Sequence, residues 1–380
     1  MTPRRRLLIL GPLGPPHVED QAAALAERDF EVIVGGNALE GLEETGLEAR
    51  GIPVHESPAA PRGTPWGIAL TTRWTRRLYR EVRPDVVQAH WLPGFGFAAA
   101  AAGAKPLAVT AWGSDVHRAG RAMRAASSFA VRRADLVLAD AADLIDGCVA
   151  LGAPRERTAL IQWGVDLATF TPASEPERSR LKESLGLGPG PVIMSPRSLM
   201  PVYNIPTILE AFATVGSRVA DAQLLIKHMG EGSVQTELPP PPHPDRVRMV
   251  GNVPYERMAD FYRVADVVVS VATTDGSPRS VWEAMACGAA CVLTDLPWFG
   301  DMIVPGENAV AVPVKDAPAL AAAILSLLDD PGLRSRIAAG GRALVRERLD
   351  REAQMDRLAE LLHGLTDNVG ASPEMAEGER

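Results

Sequence analysis

Along the chain, short runs of four or five apolar residues alternate with longer stretches in which apolar positions recur every three or four residues. Short runs that are apolar at every position fit strands buried on both faces, as in a parallel sheet, and the spaced stretches fit helices that cover them. In the first half, residues 7–10, 31–35, 85–89, 107–111 and 136–139 read as strands. Helices are predicted over 17–28, where Val18, Ala22, Leu25 and Ala26 share a face, and over 73–82 and 141–151. Stretches rich in Pro, Gly and polar residues at 171–176 and 187–191 bracket a short predicted helix at 177–185 and form the best linker candidate. The alternation then restarts. Strands are predicted at 192–195, 224–227, 247–250, 267–271 and 290–294, with helices at 206–215, 256–264, 281–285 and 317–328. Residues 334–365 read as mostly helical, and the polar end reads as disordered.

Two rounds of this alternation predict an α/β protein of two Rossmann-like, doubly wound parallel-sheet domains facing across a cleft. The length, 380 residues, exceeds what one core sustains. The expected organisation is a first domain at 1–171, a second at 172–349, a helix at about 350–365 packing back on the first, and a disordered tail at 366–380. The net charge is −8, with the acidic surplus in the later half, so nothing global argues for a nucleic-acid partner. The three cysteines, Cys148, Cys287 and Cys291, form no Cys-x-x-Cys pair and read as small buried apolar residues. The apolar run at 7–10 is too short for a signal peptide, and that near 95–104 is too short to span a bilayer. A cytoplasmic protein is therefore expected.

The chemistry concentrates in residues 267–297, VVVSVATTDGSPRSVWEAMACGAACVLTDLP. A strand runs into a polar loop, Ser277 suits a helix N-cap, Pro278 suits the first turn, and Gly288 closes the helix. A helix N-terminus at the carboxyl end of a parallel strand favours a phosphate. Asp275 lies beside that point and Glu283 about two turns into the helix, so two separated carboxylates are placed to hold hydroxyls at the two ends of a sugar nucleotide. The competing reading is a plain strand–loop–helix with two solvated acids.

This segment resembles the family-4 retaining glycosyltransferases of the GT-B fold. Their motif runs, in outline, Glu-Gly-Phe-Gly, a second Glu eight positions after the first, then Ala-Met-Ala-x-Gly-x-Pro-Val. Here Asp275 stands at the first acid and Glu283 at the second, followed by Ala-Met-Ala-Cys-Gly288. The resemblance implies that Asp275 contacts donor-sugar hydroxyls, Glu283 the ribose, and backbone amides around Gly276, Ser277 and Ser280 the sugar and phosphate. Asp for Glu shortens the reach by one methylene. Residues 195–204, SPRSLMPVYN, resemble the family's Gly-Arg-Leu strand end, which implies that Arg197 neutralises the donor diphosphate. Val202, Tyr203 and Asn204 stand where the family usually carries a Lys. Lys227 is a candidate for the missing charge, against a solvated strand-end lysine. Arg279 is a second candidate cation, against an ordinary surface arginine. Met229-Gly230-Glu231-Gly232 resembles a family Gly-rich turn.

In the first half, the stretch from Gly11 to Gly14 resembles the family's glycine loop beneath the diphosphate. Gln88-Ala-His-Trp91 resembles a strand end before the acceptor side, and Thr110-Ala-Trp-Gly-Ser-Asp115 resembles the family's Thr-x-His-Gly-x-Asp. Trp112 replaces the His that normally touches the donor sugar, and a Trp can stack on a pyranose face. Asp115 matches the motif's acid, with loop capping as its alternative role. Residues 161–170 resemble the segment before the family's interdomain linker, with Trp163 where Asn is common.

The activity implied is a retaining, metal-independent and cofactor-free transfer of sugar from a nucleotide-diphosphate-sugar donor to a hydroxyl of a glycan, glycolipid or small-molecule acceptor. Arg197, Asp275 and Asp115 are its implied catalytic residues. The rivals are a non-catalytic GT-B partner subunit and a nucleotide-sugar epimerase. The basic stretch at 73–80 and Arg118, Arg121 and Arg124 suggest an anionic membrane surface or acidic acceptor, with Trp74 and Tyr79 at a lipid interface, or else solvated helix faces. Arg197→Ala and Glu283→Ala are expected to abolish transfer with the fold intact.

Overall fold

A computed structural model describes residues 4–13, 16–38, 46–58, 64–117, 120–228, 238–251, 253–300 and 302–370. It divides into two compact units, Met1–Trp163 with Glu352–Arg380, and Gly164–Arg351.

The sheet of the first unit contains β1 (Arg5–Leu13), β2 (Phe30–Ala38), β3 (Val54–Glu56), β4 (Val86–His90), β5 (Leu107–Thr110), β6 (Leu136–Ala139) and β7 (Thr158–Leu160). Their order is β3-β2-β1-β4-β5-β6-β7, every pair parallel. Alternate residues feed opposite layers, as the pleat requires. Leu8 and Leu10 of β1 join Val87, Val109 and Val137 on one side, while Leu7 and Ile9 join Val18, Leu25 and Phe30 on the other. Strand order reverses between β1 and β4, and such a reversal opens a crevice at the strands' carboxyl ends.

The second unit repeats the plan with β8 (Val192–Ser195), β9 (Gln223–Lys227), β10 (Val247–Val250), β11 (Val267–Ser270), β12 (Ala290–Thr294) and β13 (Val310–Val312). The order is β10-β9-β8-β11-β12-β13, again parallel, so the reversal falls between β8 and β11. Val192, Met194 and Val268 face one core layer, Ile193, Val267 and Val269 the other.

Three strands lie outside the predicted set. β3, β7 and β13 are three-residue edges, mostly half-buried; β3 and β7 lack an apolar run, and the apolar β13 is short. The second unit begins at Gly164 rather than at 172, because Val165 and Phe170 already belong to its core and Arg263 bonds the carbonyls of Thr169 and Thr171 at 3.0 and 2.9 Å. The proline- and glycine-rich stretches at 171–176 and 187–191 therefore lie inside this unit.

Helix Arg351–Gly370 completes the first unit. Met355, Leu358, Ala359 and Leu362 are buried in the layer that holds Leu7, Ile9 and Phe30. The His363 ring stacks on Phe30 with centroids 4.1 Å apart. Arg28 pairs with Glu352 at 2.8 Å and Asp356 at 2.7 Å. Residues 366–370, expected in a disordered tail, are helical, because Thr366 bonds the His363 carbonyl and Asp367 pairs with Arg5. The remainder of that expected tail, 371–380, lies outside the described residues. Helix Pro65–Val82 starts earlier than predicted, with Thr64 capping the Gly67 amide at 3.1 Å and Pro65 in the first turn. Trp74 and Tyr79 pack against the core instead of facing a lipid interface, and the exposed aromatic of this helix is Trp66.

Leu358 is fully buried. Leu358→Ala should lower unfolding free energy by about 2–5 kcal/mol, read from the denaturant midpoint of the full chain. An unchanged midpoint would show that the returning helix contributes nothing to the first unit.

Candidate functional site

In the second unit, the loops leaving β8 and β11 diverge at the point of reversal and carry the chemistry. Arg197, two residues past β8, is 8% exposed. Its Nη2 donates to Asp275 Oδ2 at 2.8 Å and its Nη1 to Ser280 Oγ at 3.2 Å. The guanidinium carbon lies 4.1 Å from the centre of the Tyr203 ring. Two edges and one face of the cation are thereby held, the face by the ring's quadrupole. Asp275 also accepts from the Gly276 amide at 3.1 Å. Burial pushes its carboxyl above the usual range, against the opposing pull of Arg197 and that amide.

Helix Arg279–Ala286 starts one residue later than a Ser277 cap requires. Its N-cap is Pro278, and Ser277 instead accepts from the Trp282 indole at 2.9 Å. Trp282 is buried and its N–H needs an acceptor, which outweighs capping. Glu283 is 3% exposed. Its Oε1 accepts from Tyr255 Oη at 2.6 Å and lies in an ion pair 3.1 Å from Arg279 Nε, and its Oε2 accepts from Tyr262 Oη at 3.1 Å. Tyr255 Oη in turn accepts from Arg279 Nη2 at 2.6 Å. Arg279 is therefore a largely enclosed member of a network, its side chain 12% exposed, and not a free surface residue. Burial pushes the Glu283 carboxyl upward, opposed first by Arg279 and then by the two phenols, and burial raises Tyr262 well above its ordinary range. Glu283→Ala cannot leave this region intact, since deleting one partner of a buried pair typically costs about 3–5 kcal/mol. Tyr255 and Tyr262 were not singled out from sequence. Their seven-residue spacing, two helical turns, was the available signal.

Lys227 ends β9, half-buried, and makes no ion pair with any described residue. Burial lowers its pKa, with the charge of Glu283 pulling the other way. Residues 229–232, the expected Gly-rich turn, lie outside the described residues.

The first unit holds a separate cluster. Gly11 lies within β1, not in a loop. A Cβ there would come within 3.2 Å of His90 Cβ and 3.1 Å of Val18 Cγ2, so the glycine makes room for His90. Gly14 and Arg118 lie outside the described residues. Asp115 is fully buried, its Oδ1 accepting from the Trp112 amide at 2.9 Å and its Oδ2 from the Leu92 amide at 3.0 Å. It clamps two loops together. Trp112 Nε1 donates to His90 Nδ1 at 3.3 Å, which places the proton of a neutral His90 on Nε2. The Trp163 ring lies 6.2 Å from that of His90 at 25°, and its Nε1 donates to Asp140 Oδ2 at 2.6 Å. Burial, then the charges of Asp143 and Asp115, push the Asp140 carboxyl up to about 7, the Trp163 bond opposing them.

Arg197, Asp275, Gly276, Ser277, Arg279, Ser280 and Glu283 thus assemble in the second unit, whereas Gly11, Trp112 and Asp115 belong to the first.

Residues 177–344 match the family described as "Glycosyl transferases group 1", and residues 15–164 match the "Glycosyl transferase 4-like domain". The chain is 29% identical to a GDP-mannose-dependent monoacylated alpha-(1-6)-phosphatidylinositol monomannoside mannosyltransferase of Corynebacterium glutamicum, over 52% of this chain and 54% of that protein. It is 30% identical to a D-inositol 3-phosphate glycosyltransferase of Xylanimonas cellulosilytica, over 57% and 54% respectively. The chain thus spans about half the length of the curated relatives it matches. In fold it resembles a sucrose-phosphate synthase from Thermosynechococcus elongatus, with a TM-score of 0.78 at 18% identity, covering 96% of this chain and all of that one.

Because folding raises the Asp140 pKa, the folded state holds the proton more tightly than the unfolded chain. Stability should therefore fall as pH rises from the ordinary carboxylate range through about 7. Asp140→Asn keeps an acceptor for Trp163 and removes the charge. It should raise Tm more at pH 8 than at pH 5, and equal shifts at both would contradict this assignment.

Proposed function

From the premise that the chain belongs to the group 1 glycosyl transferases, we propose that it is a retaining glycosyltransferase that moves a sugar from a nucleotide-diphosphate-sugar donor to an acceptor hydroxyl. The observation that carries the proposal is Arg197, held by Asp275, Ser280 and Tyr203 beside the start of helix Arg279–Ala286, where strand order reverses. The guanidinium and the helix start take the developing charge of the leaving diphosphate, and Asp275 takes a donor-sugar hydroxyl. No side chain need act as a nucleophile. The departing diphosphate draws the proton from the incoming hydroxyl on the same face, and catalysis consists of positioning and charge stabilisation. Lys227 supplies a second positive charge near Glu283, so that no divalent ion or other cofactor is required. Glu283 holds Arg279 and directs its remaining acceptor capacity to the ribose. The donor and acceptor classes follow the relatives' names: one is GDP-mannose-dependent and acts on a glycolipid, the other on an inositol phosphate.

Arg197→Ala should lower kcat/KM for transfer by roughly 10²–10³-fold, the scale of losing one preorganised donor to the reacting charge. Wild-type activity should survive EDTA. An unimpaired Arg197→Ala rate, or complete loss in EDTA, would contradict the mechanism. Nucleotide-diphosphate binding without turnover of any donor would identify a non-catalytic subunit instead.

The acceptor is proposed to be reached at the cytoplasmic face of an anionic membrane. Helix Pro65–Val82 exposes Trp66, Ala69, Arg73, Arg77 and Arg80 at three- and four-residue spacing, one stripe of a helix. Among the described residues, no helix is long and apolar enough to cross a membrane. The full chain should cosediment with phosphatidylglycerol vesicles. Replacing Arg73, Arg77 and Arg80 together by Ala, or raising the salt, should release it. Equal cosedimentation of the triple variant would remove the membrane from the account.

A further inference from the structure

The carboxyl edge of the first sheet places an immobilised indole against a carboxyl group. Trp163 follows β7, yet its ring lies 6.2 Å from His90 at the end of β4, nearly parallel to it, while its N–H is bonded to Asp140 at the end of β6. His90 is itself held by Trp112 through a 3.3 Å bond and an edge contact at 6.0 Å. The imidazole is fully buried, but Trp163 and Asp140 keep part of their surface open. We propose that Trp163 and Asp140 form a binding site for the uncharged ring of a cyclic polyol, a pyranose or cyclitol, belonging to the acceptor.

The fit is chemical. A cyclic polyol has an apolar C–H face that stacks on an indole and a rim of hydroxyls that bond a carboxyl group. The indole's orientation is already set by His90 and Asp140, so little freedom is lost on binding. Among the described residues, the Asp140 carboxyl takes a side-chain bond only from Trp163, at Oδ2, besides one from its own backbone amide, which leaves acceptor capacity for hydroxyls. With its pKa near neutrality the carboxyl group can donate as well as accept, which suits hydroxyls. Among the described residues, the charges raising the Asp140 pKa are those of Asp143 and Asp115, both acids, which favours a neutral ring over a phosphate. Assigning the ring to the acceptor rests on the transferase reading. Ring binding itself does not.

The test is saturation-transfer NMR on the full chain with methyl α-D-mannopyranoside, methyl α-D-glucopyranoside and myo-inositol, with acyclic mannitol as control. Ring C–H protons of at least one cyclic probe should saturate and those of mannitol should not. Trp163→Ala should weaken binding roughly tenfold and Trp163→Phe much less, the scale of one aromatic contact. Asp140→Asn should weaken it severalfold, and all three variants should keep the wild-type thermal shift with nucleotide diphosphates. No saturation in the wild type, equal saturation of mannitol, or an undiminished signal in Trp163→Ala would overturn the site. Should Trp163→Ala not fold, wild-type binding by Asp140→Asn does the same. Displacement of the probe by a nucleotide sugar would give the ring to the donor and overturn the acceptor assignment. Ring binding without any nucleotide-diphosphate shift would leave this site standing and sink the transferase reading.

Discussion

In a parallel sheet every strand presents its carboxyl end to the same edge, and a reversal of strand order forces the two central loops apart. Both units are built on that constraint, with reversals at β1/β4 and β8/β11. The gap is a consequence of topology, so the side chains that flank it are free to specialise without having to create it. In the second unit they do so with charge, through Arg197 and Asp275. In the first they do so with aromatic rings and acids, through Trp112, His90, Trp163 and Asp140.

The two acids eight positions apart in the second unit have different environments. Asp275 shares a single cation with Ser280 and a ring, and its second oxygen takes only a neighbouring amide. Glu283 is enclosed by Arg279 and two phenols and is almost wholly removed from solvent. A carboxylate held in this way is costly to disturb, because its partners would be left desolvated and unpaired. The same enclosure fixes Arg279 over Tyr255, at 4.8 Å from the ring centre. Glu283 therefore organises its surroundings.

What could be read along the chain followed from where the signal is local. The buried central strands β5, β8, β11 and β12 appear as runs of mostly apolar residues because both their faces are covered, whereas the edges β3 and β7 have no such requirement and no such pattern. Asp275 and Glu283 stand out because their spacing lies within one strand–loop–helix unit. Their partners do not, because Tyr203, Tyr255 and Tyr262 come from other segments and meet them only through folding. Gly11 looked like a loop residue because its neighbours are glycine and proline, but β1 continues through it to pair with β2, Gly11 opposite Gly36. The Trp163–Asp140 contact joins residues separated by a whole strand and helix, and no periodicity encodes it.

The lack of the expected lysine among Val202, Tyr203 and Asn204 bears on how a charged site can be rebuilt. An ammonium at that place would add a charge but would also repel Arg197, and each cation would need its own partners when no ligand is bound. An aromatic ring adds no charge. It attracts the guanidinium through its face and leaves the edges to Asp275 and Ser280, so the cation is held in one orientation. A planar cation loses much of its value if it must be reoriented as charge develops, because that reorganisation adds to the barrier. Holding one arginine rigidly removes that reorganisation but adds no second charge. It places the burden of any further neutralisation on a group outside the clamp, and Lys227, half-buried at the end of β9 within the field of Glu283, is so placed.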